Sequence, residues 1–428
     1  MENKLNNPRI VRGWAFFDWA NSAYALVITV AIFPAYFISH TTENIPVFGW
    51  ELSNSALFSY IISFTYLLIA LALPLLSGLA DYSGRRMFFL KIFTTIGSIA
   101  CMSLYFFTGM ETLSIGLLSF ILAIIGFDGG KVFYNSYLPV ISSEDKYDKV
   151  SAMGFAYGYI GSVLLLLLNL AMIMKPGLFG IPDSDLAVRI SFILVGIWWI
   201  GFAQIPFKRL PADQRKPVKD FFRVGFREIS QAYNSIKPKV NVRLFLWSFF
   251  FYSAGVQTVL YLASTFAEKE LNFGTTGLIV IVLILQIVAV GGAYLFAWVS
   301  SRLGNKPAIS AMLVIWIVIC ILAYFVQGQV QFYILASLVG LVMGGIQSMS
   351  RSTYSKLLSG SDKTQLNSFF SFYEVLEKLA IVFGTFSFGL IDQLSGGMRN
   401  SVLILGVYFI IGLAILARVN SPKLKTGI

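Results

Sequence analysis

The stretch GFDGGKVFYNSYLPVISSEDKYDKVSAMGFAYGYIG, Gly126 to Gly161, sets an aspartate and a lysine inside an apolar run, turns through a short charged loop and re-enters an apolar run. Part of it recurs 217 positions along the chain. Tyr137, Ser142, Asp145, Lys146, Ser151 and Phe155 meet Tyr354, Ser359, Asp362, Lys363, Ser368 and Phe372, the same residue types in the same order. A loop that appears twice, half a chain apart, marks two related halves.

The composition says what solvent those halves need. Of 428 residues, 57% are hydrophobic and only 12% charged, against about a quarter charged in soluble domains. Apolar runs that cross a hydrocarbon core of about 30 Å need roughly 20 residues each. About twelve such runs occur, near 14–38, 55–79, 88–108, 113–138, 152–174, 187–206, 243–267, 275–300, 308–326, 330–350, 367–391 and 399–419. Backbone in lipid must bond to itself, so the runs are expected to be helices. The reading is an all-α membrane protein of twelve transmembrane helices in two six-helix halves, 1–206 and 243–428, joined by a basic linker at 207–242. The first 13 residues are polar and the run after them has no small-residue cleavage site, which predicts an uncleaved first span.

Charge placement sets the expected orientation. With the N-terminus, the even-to-odd loops and the C-terminus on one side, that side holds 26 of the 32 Lys and Arg. The positive-inside rule then puts both termini and the linker in the cytoplasm. Topology and anionic headgroups account for the net charge of +11 better than nucleic acid does, so no nucleic-acid partner is expected. Within the linker, 221–233 mixes Arg223 and Arg227 with aromatics and reads as an amphipathic helix on the inner leaflet. Cys101 and Cys320 lie mid-way along apolar runs and His40 is the only histidine. No disulfide framework, metal site or catalytic triad is expected, and neither is a cofactor or an enzyme activity.

Four motifs carry a resemblance. The loop between the second and third spans has Gly78, Asp81, Gly84, Arg85 and Arg86. Its glycines permit a tight turn and close packing, and Asp81 is placed to pair with arginine or cap the next helix. The spacing resembles the loop signature of the major facilitator superfamily. A worn copy at Ser301–Lys306 has serine where the aspartate should be, so a charge latch there is expected to be weak. The runs Asp18-Trp-Ala-Asn21-Ser22, Tyr134-Asn135-Ser-Tyr-Leu-Pro139 and Gly344-Gly-Ile-Gln347-Ser-Met-Ser-Arg351-Ser together resemble one branch of that superfamily. That branch contains fungal vacuolar amino-acid effluxers and uncharacterised bacterial permeases. The seventh span departs from it, with Ala254 where many relatives would carry an acid before Gly255. The resemblance implies a fold that closes alternately around a central cavity lined by spans one, four, seven and ten.

Charges within the spans are the candidate machinery. Asp18 reads either as a buried functional carboxylate or as an interfacial acid near a helix start, with Trp14 and Trp19 as membrane-belt anchors. Asp128 and Lys131 share a helix face and are expected to neutralise each other. Gly126 and Gly130 form a small-xxx-small face for close helix contact. The string Gly126–Lys131 is one residue short of a phosphate loop and lies in an apolar helix, which excludes that reading. Glu374 and Lys378 are expected to pair at i, i+4, leaving Glu377 unpaired and able to carry a proton. Arg351 reads as a positive-inside helix end, a substrate anchor or part of an inner gate. Gln257, Gln286, Asn169 and Gln347 read as interhelical hydrogen bonders or ligand contacts. The substrate and coupling candidates are therefore Asp18, Asn21, Asp128, Lys131, Asn135, Gln257, Gln347, Arg351, Glu374, Glu377 and Lys378.

The expected function is secondary active transport of a small polar organic solute. Amino acids or short peptides are the class the resemblance implies, with protons as the candidate coupling ion. A lipid, lysolipid or drug exporter is the rival within the class, and a non-transporting sensor or scaffold the rival outside it. A monomer in a bacterial inner membrane is expected.

Overall fold

The computed structural model describes residues 5–47, 49–214, 221–395 and 398–420. Six long helices precede the linker: α1 Pro8–Ser39, α2 Asn54–Ser83, α3 Arg86–Ser103, α4 Leu113–Asn135, α5 Tyr147–Met174 and α6 Ser184–Arg209. Six follow it: α7 Val240–Leu271, α8 Thr275–Leu303, α9 Asn305–Phe325, α10 Gln329–Leu357, α11 Leu366–Ser395 and α12 Met398–Ala417. Eleven stretches of helix are long and apolar enough to cross a membrane. The twelfth, α11, is 30 residues long and falls short in apolarity because Glu374, Glu377, Lys378 and Asp392 lie on it.

The packing repeats across the two halves. Helix α1 packs on α5 and α6, and α3 on α4 and α6; correspondingly α7 packs on α11 and α12, and α9 on α10 and α12. The halves meet along two equivalent seams, α2 against α11 and α5 against α8. The helices also outrun the apolar segments: α1 starts at Pro8, where Asn7 Oδ1 accepts from Arg9 N–H at 2.9 Å and caps it, and α10 continues to Leu357.

Three local features add to the apolar runs, and the last of them, the linker helix, falls where 221–233 is read as helical from the sequence. Between α1 and α2 the chain forms an antiparallel hairpin, β1 Asn44–Val47 with β2 Trp50–Ser53, pairing Asn44 with Ser53. Within α1, Ala25–Ile32 is wound as π-helix. Pro34 follows it and cannot donate to the carbonyl a turn earlier, and wide turns of this kind tend to occur where a helix serves a site. The linker helix Phe221–Ile236 packs one face on α2. Gly78 makes room for it, since a Cβ there would stand 2.7 Å from Gly225 O. Tyr233 meets Phe372 of α11 edge-on at 6.4 Å. The helix thus lies across the end of the bundle and touches both halves, with Arg223, Phe226 and Arg227 exposed.

Glycine sets the helix spacing in α4, though not at both positions expected. A Cβ on Gly126 would stand 2.4 Å from Gly97 Cα and 2.7 Å from Phe93 O. A Cβ on Gly130 would meet nothing nearer than Phe17 at 3.7 Å, and it is Gly129 that presses on Phe93, at 2.4 Å. The close-contact face is therefore Gly126 with Gly129. Gly126→Leu should force α3 and α4 apart at a cost of about 1–3 kcal/mol and lower the melting temperature of the purified protein. Gly130→Ala should be neutral or slightly stabilising, because alanine gains up to about 1 kcal/mol of helix propensity over glycine. Equal melting of the two variants would refute this assignment.

Candidate functional site

A cavity of about 250 Å³ lies between the halves. It is lined by α1, α2, α4 and α5 on one side and α7, α8, α10 and α11 on the other, so α3, α6, α9 and α12 stay outside it. Spans one, four, seven and ten do line it, together with two, five, eight and eleven. Tyr66 and Tyr261 join hydroxyls across it at 2.8 Å. Away from the linker end it reaches Val30, which is 40% exposed.

The cavity floor is one continuous polar network. Arg351 of α10 is 2% exposed. Its Nη1 lies 3.3 Å from Asp18 Oδ2 and donates to Asn135 Oδ1 at 3.1 Å. Its Nε donates to Ser151 Oγ at 2.9 Å and its Nη2 to Ser151 O at 2.8 Å. The guanidinium lies over the rings of Phe155 and Trp14, at 4.2 and 4.6 Å from their centroids. Gly154 is needed there, because a Cβ would stand 2.7 Å from Asp18 Oδ2 and 2.9 Å from Arg351 Nη2. Tyr134 OH donates to Asp18 Oδ2 at 2.7 Å. Asn135 then bridges to a second cluster, with Nδ2 donating to Glu374 Oε1 at 2.8 Å. In that cluster Lys131 Nζ is 2.8 Å from Glu377 Oε2 and 3.3 Å from Glu374 Oε2. Lys378 Nζ is 2.6 Å from Asp128 Oδ1 and 3.0 Å from Glu377 Oε2. Gln257 Nε2 completes it by donating to Glu377 Oε1 at 3.1 Å.

This geometry brings together nearly all the candidate residues and corrects how they pair. Glu377 is the best-compensated carboxylate, held by two ammonium groups and an amide. Glu374 has the weaker share: it sits 3.9 Å from Lys378, and its Oε2 accepts no hydrogen bond among the described residues. Asp128 pairs with Lys378 across the halves, and Lys131 with the two glutamates of α11. Arg351 is neither a solvated helix end nor a loop charge. Trp14 is fully buried, its Nε1 donating to Tyr134 O at 3.0 Å, and is no belt anchor. Gln347 accepts from Tyr159 OH at 2.6 Å. Asn21 is 2% exposed and lines the cavity, with Oδ1 unpartnered among the described residues. Asn169 bonds to nothing described, so it is not interhelical glue there. Ala254 does not line the cavity; its carbonyl faces Gly384 of α11, where a Cβ would stand 2.4 Å away.

Two latches close the linker end. Gly84, at φ 63°, ends α2. Asp81 caps not the next helix but α11, across the seam: it accepts from Asn367 N–H, Asn367 Nδ2 and Ser368 N–H at 3.1, 2.7 and 2.7 Å. Arg86 Nε donates to Asn367 Oδ1 at 3.0 Å, whereas Arg85 lies 6.0 Å over Phe88 with Nε unpartnered among the described residues. The start of α3 is capped instead by Asp213 of the linker, which accepts from Met87 and Phe88 N–H at 2.7 and 3.0 Å. The second latch corrects the expectation of a weak copy. Asp148 of α5 supplies the carboxylate missing at Ser301. It accepts from Ser300 Oγ at 2.9 Å and Asn305 Nδ2 at 2.8 Å, and pairs with Lys356 Nζ at 2.7 Å. Nothing in the repeat alignment pointed to Asp148, because the carboxylate comes from the opposite partner of the seam.

Residues 6–426 match the family model described as vacuole effluxer Atg22 like. The uncharacterized MFS-type transporter YxiO of Bacillus subtilis is 32% identical over 409 residues, covering 94% of this chain and 93% of the relative. Autophagy-related protein 22-1 of Aspergillus terreus is 23% identical over 467 residues, covering 88% of this chain and 76% of the relative. Among solved structures, the human organic anion transporter MFSD10 superposes with a TM-score of 0.71 at 12% identity, over 96% of this chain and 99% of that one, a likeness of fold.

Two outcomes follow from the pairing. Arg351→Gln strands Asp18 in a buried site and should cost about 3–5 kcal/mol, read as a fall in melting temperature. Adding Asp18→Asn should recover most of it; a strictly additive double variant would show that the pair is not coupled. Asp148→Asn removes one charge-assisted contact worth about 1.5–3 kcal/mol. It should lengthen and broaden the distance distribution between spin labels on Lys146→Cys and Arg302→Cys, which sit on either side of the α5–α8 seam. Cys101 and Cys320 are buried and stay unlabelled. An unchanged distribution would remove Asp148 from the closure.

Proposed function

The chain belongs to the Atg22-like vacuole effluxer family of the major facilitator superfamily and is a secondary transporter of that type, and we propose that it moves amino acids or short peptides in exchange with or alongside protons. Its relatives are transporters rather than enzymes. The units of motion in this reading are 1–206 and 243–428, with 207–242 as the strap between them. They rock about the central cavity, as expected for transporters built of repeats around a mid-membrane site.

One observation carries the proposal: the cavity floor holds four carboxylates, Asp18, Asp128, Glu374 and Glu377, against three cations, Lys131, Arg351 and Lys378. A buried surplus carboxylate is costly unless neutralised. Glu374 is that surplus, fully buried and with one oxygen free of hydrogen bonds among the described residues. It is faced by Lys131 and Asp128 from α4 and by Glu377 and Lys378 from α11, and Arg351 of α10 reaches it through Asn135. A proton on it, or the ammonium group of a substrate, balances the floor. Arg351 and Lys131 offer the complementary cations for a substrate carboxylate, so one cavity suits a zwitterion with both ends charged. An open cavity of this size supports transport over a scaffold role, for which a collapsed interior is expected. Its charged floor favours a polar solute over a lipid or drug. The skew of basic residues toward the linker side supports cytoplasmic termini in a bacterial inner membrane. A monomer is part of the same reading.

A thermal-shift screen of purified protein against amino acids, dipeptides, sugars and lysolipids names the ligand class, since a bound ligand stabilises by mass action. With that ligand in proteoliposomes, an imposed pH gradient should drive accumulation by the native protein. Glu374→Gln should lose the pH-driven part, roughly tenfold or more, while keeping solute exchange. PH-driven accumulation undiminished in Glu374→Gln would end the role given to that residue.

A further inference from the structure

A second concave site lies outside the transport pathway, at the linker end of the bundle, between the start of α1 and the end of α6. It is a groove of about 390 Å³ lined by Asn7, Arg9 and Ile10 from one helix and Gln204, Ile205, Lys208 and Arg209 from the other. Three of the seven lining residues are cations and none is an acid. Among the described residues none of the three makes an ion pair, whereas Arg189, Arg351, Lys356 and Arg399 each do. Like charges gathered in one groove without a counter-charge repel one another. The fold nevertheless holds them together.

The groove is built rather than accidental. The stem of Arg209 lies against α1 at Gly13, where a Cβ would stand 2.7 Å from Arg209 Cβ and 2.9 Å from its Cδ. Gly13 is one turn along from Arg9, on the same helix face, so the bare glycine is what lets Arg209 run beside Arg9. The entry to α1 is fixed as well. Asn6 takes a left-handed φ of 59°, and its N–H donates to Ile141 O at 2.9 Å. Its side chain accepts from Ser143 N–H at 3.0 Å and donates to Ser143 Oγ at 2.9 Å. On the neighbouring face of α6, Lys91 Nζ lies 5.5 Å over the Phe207 ring.

We propose that this groove binds the phosphate headgroup of an anionic phospholipid. The three cations supply the charge complement that the protein itself withholds. Ile10 and Ile205 line the same groove and suit the glycerol and first methylenes of a lipid, for which a free phosphate ion has no use. The position fits, because basic pockets between helix ends at the cytoplasmic surface lie where headgroups sit. The consequence reaches the transport site, since α1 carries Asp18, Asn21 and Tyr24 into the cavity lining and Trp14 against Arg351. A lipid seated between α1 and α6 fixes the start of the helix that bears them. The site needs only a membrane-spanning fold with this end at an anionic leaflet, so it stands or falls separately from the substrate assignment.

The test uses the full chain purified in a neutral detergent. Adding phosphatidylglycerol should raise the melting temperature by about 3 °C or more over the same amount of phosphatidylcholine. The triple variant Arg9→Gln, Lys208→Gln, Arg209→Gln should lose most of that increment. A control triple at exposed basic positions on the same end, Lys149→Gln, Lys237→Gln, Arg418→Gln, should keep it. Retention of the increment by the groove variant, or an equal loss in the control, overturns the proposal in favour of diffuse surface charge. An equal increment from inorganic phosphate alone overturns the lipid assignment. Should the triple variant fail to fold, Lys208→Gln alone is compared by native mass spectrometry. Bound phosphatidylglycerol should fall about fivefold, and unchanged occupancy overturns the site.

Discussion

Seven ionisable side chains sit in the middle of an apolar bundle, and their mutual compensation constrains most of what surrounds them. An isolated charge in such a medium costs several kcal/mol. Each must therefore be met by a partner, and here the partners come from different helices and largely from different halves. Arg351 of α10 meets Asp18 of α1, Lys378 of α11 meets Asp128 of α4, and Lys131 of α4 meets Glu377 of α11. The neutral groups follow from the same need. Asn135 faces a guanidinium with its oxygen and a carboxylate with its nitrogen, the one amide orientation that satisfies both. Gly154 is bare because Asp18 and Arg351 occupy the space its side chain would fill.

The chain announced the spans, the two halves and the charges, because each is local or periodic. Apolar runs of about 20 residues are read without tertiary knowledge, and the basic loops alternate with them. Pairing was a different matter. Helical spacing says that Asp128 and Lys131, or Glu374 and Lys378, share a face, and from that the natural expectation is a bond within each helix. Both helices instead turn those faces toward each other, so Lys131 pairs with the acids of α11 and Lys378 adds Asp128 of α4 to its contacts with Glu377 and, at 3.9 Å, Glu374 on its own helix. Glu377, which spacing left unpaired, became the most compensated acid. The hairpin at 44–53 and the π-helical turns of α1 were also out of reach. The first is a short polar connection between long runs, and the second leaves no mark on hydropathy.

The latches show how a repeat diverges while keeping its mechanics. In the first half the carboxylate sits in the last turn of α2, at Asp81, and reaches over to the start of α11. At the equivalent seam the last turn of α8 has no acid at Ser301, and Asp148 at the start of α5 supplies one from the other side, against Asn305 and Lys356. A carboxylate is present in both seams, yet it belongs to the first half each time. Comparing the two halves with each other shows a loss at Ser301. Comparing the two seams shows that the contact was kept.

That placement bears on how the linker end opens in an alternating-access cycle. Separating α2 from α11 and α5 from α8 breaks both latches, and in each the acid leaves with the first half. Each latch sets a single carboxylate against its partners, half-buried at Asp81 and buried at Asp148. The floor is different. Moving Arg351 away from Asp18 and Asn135 leaves groups that only water or a ligand can satisfy. Lys131 and Lys378 likewise separate from acids in the opposite half. In the proposed reading, a substrate bearing both charges, or a proton on Glu374, lowers the cost of that separation, and an empty unprotonated floor does not. In that reading, the same compensation that makes the bundle stable with charges inside it makes opening conditional on cargo.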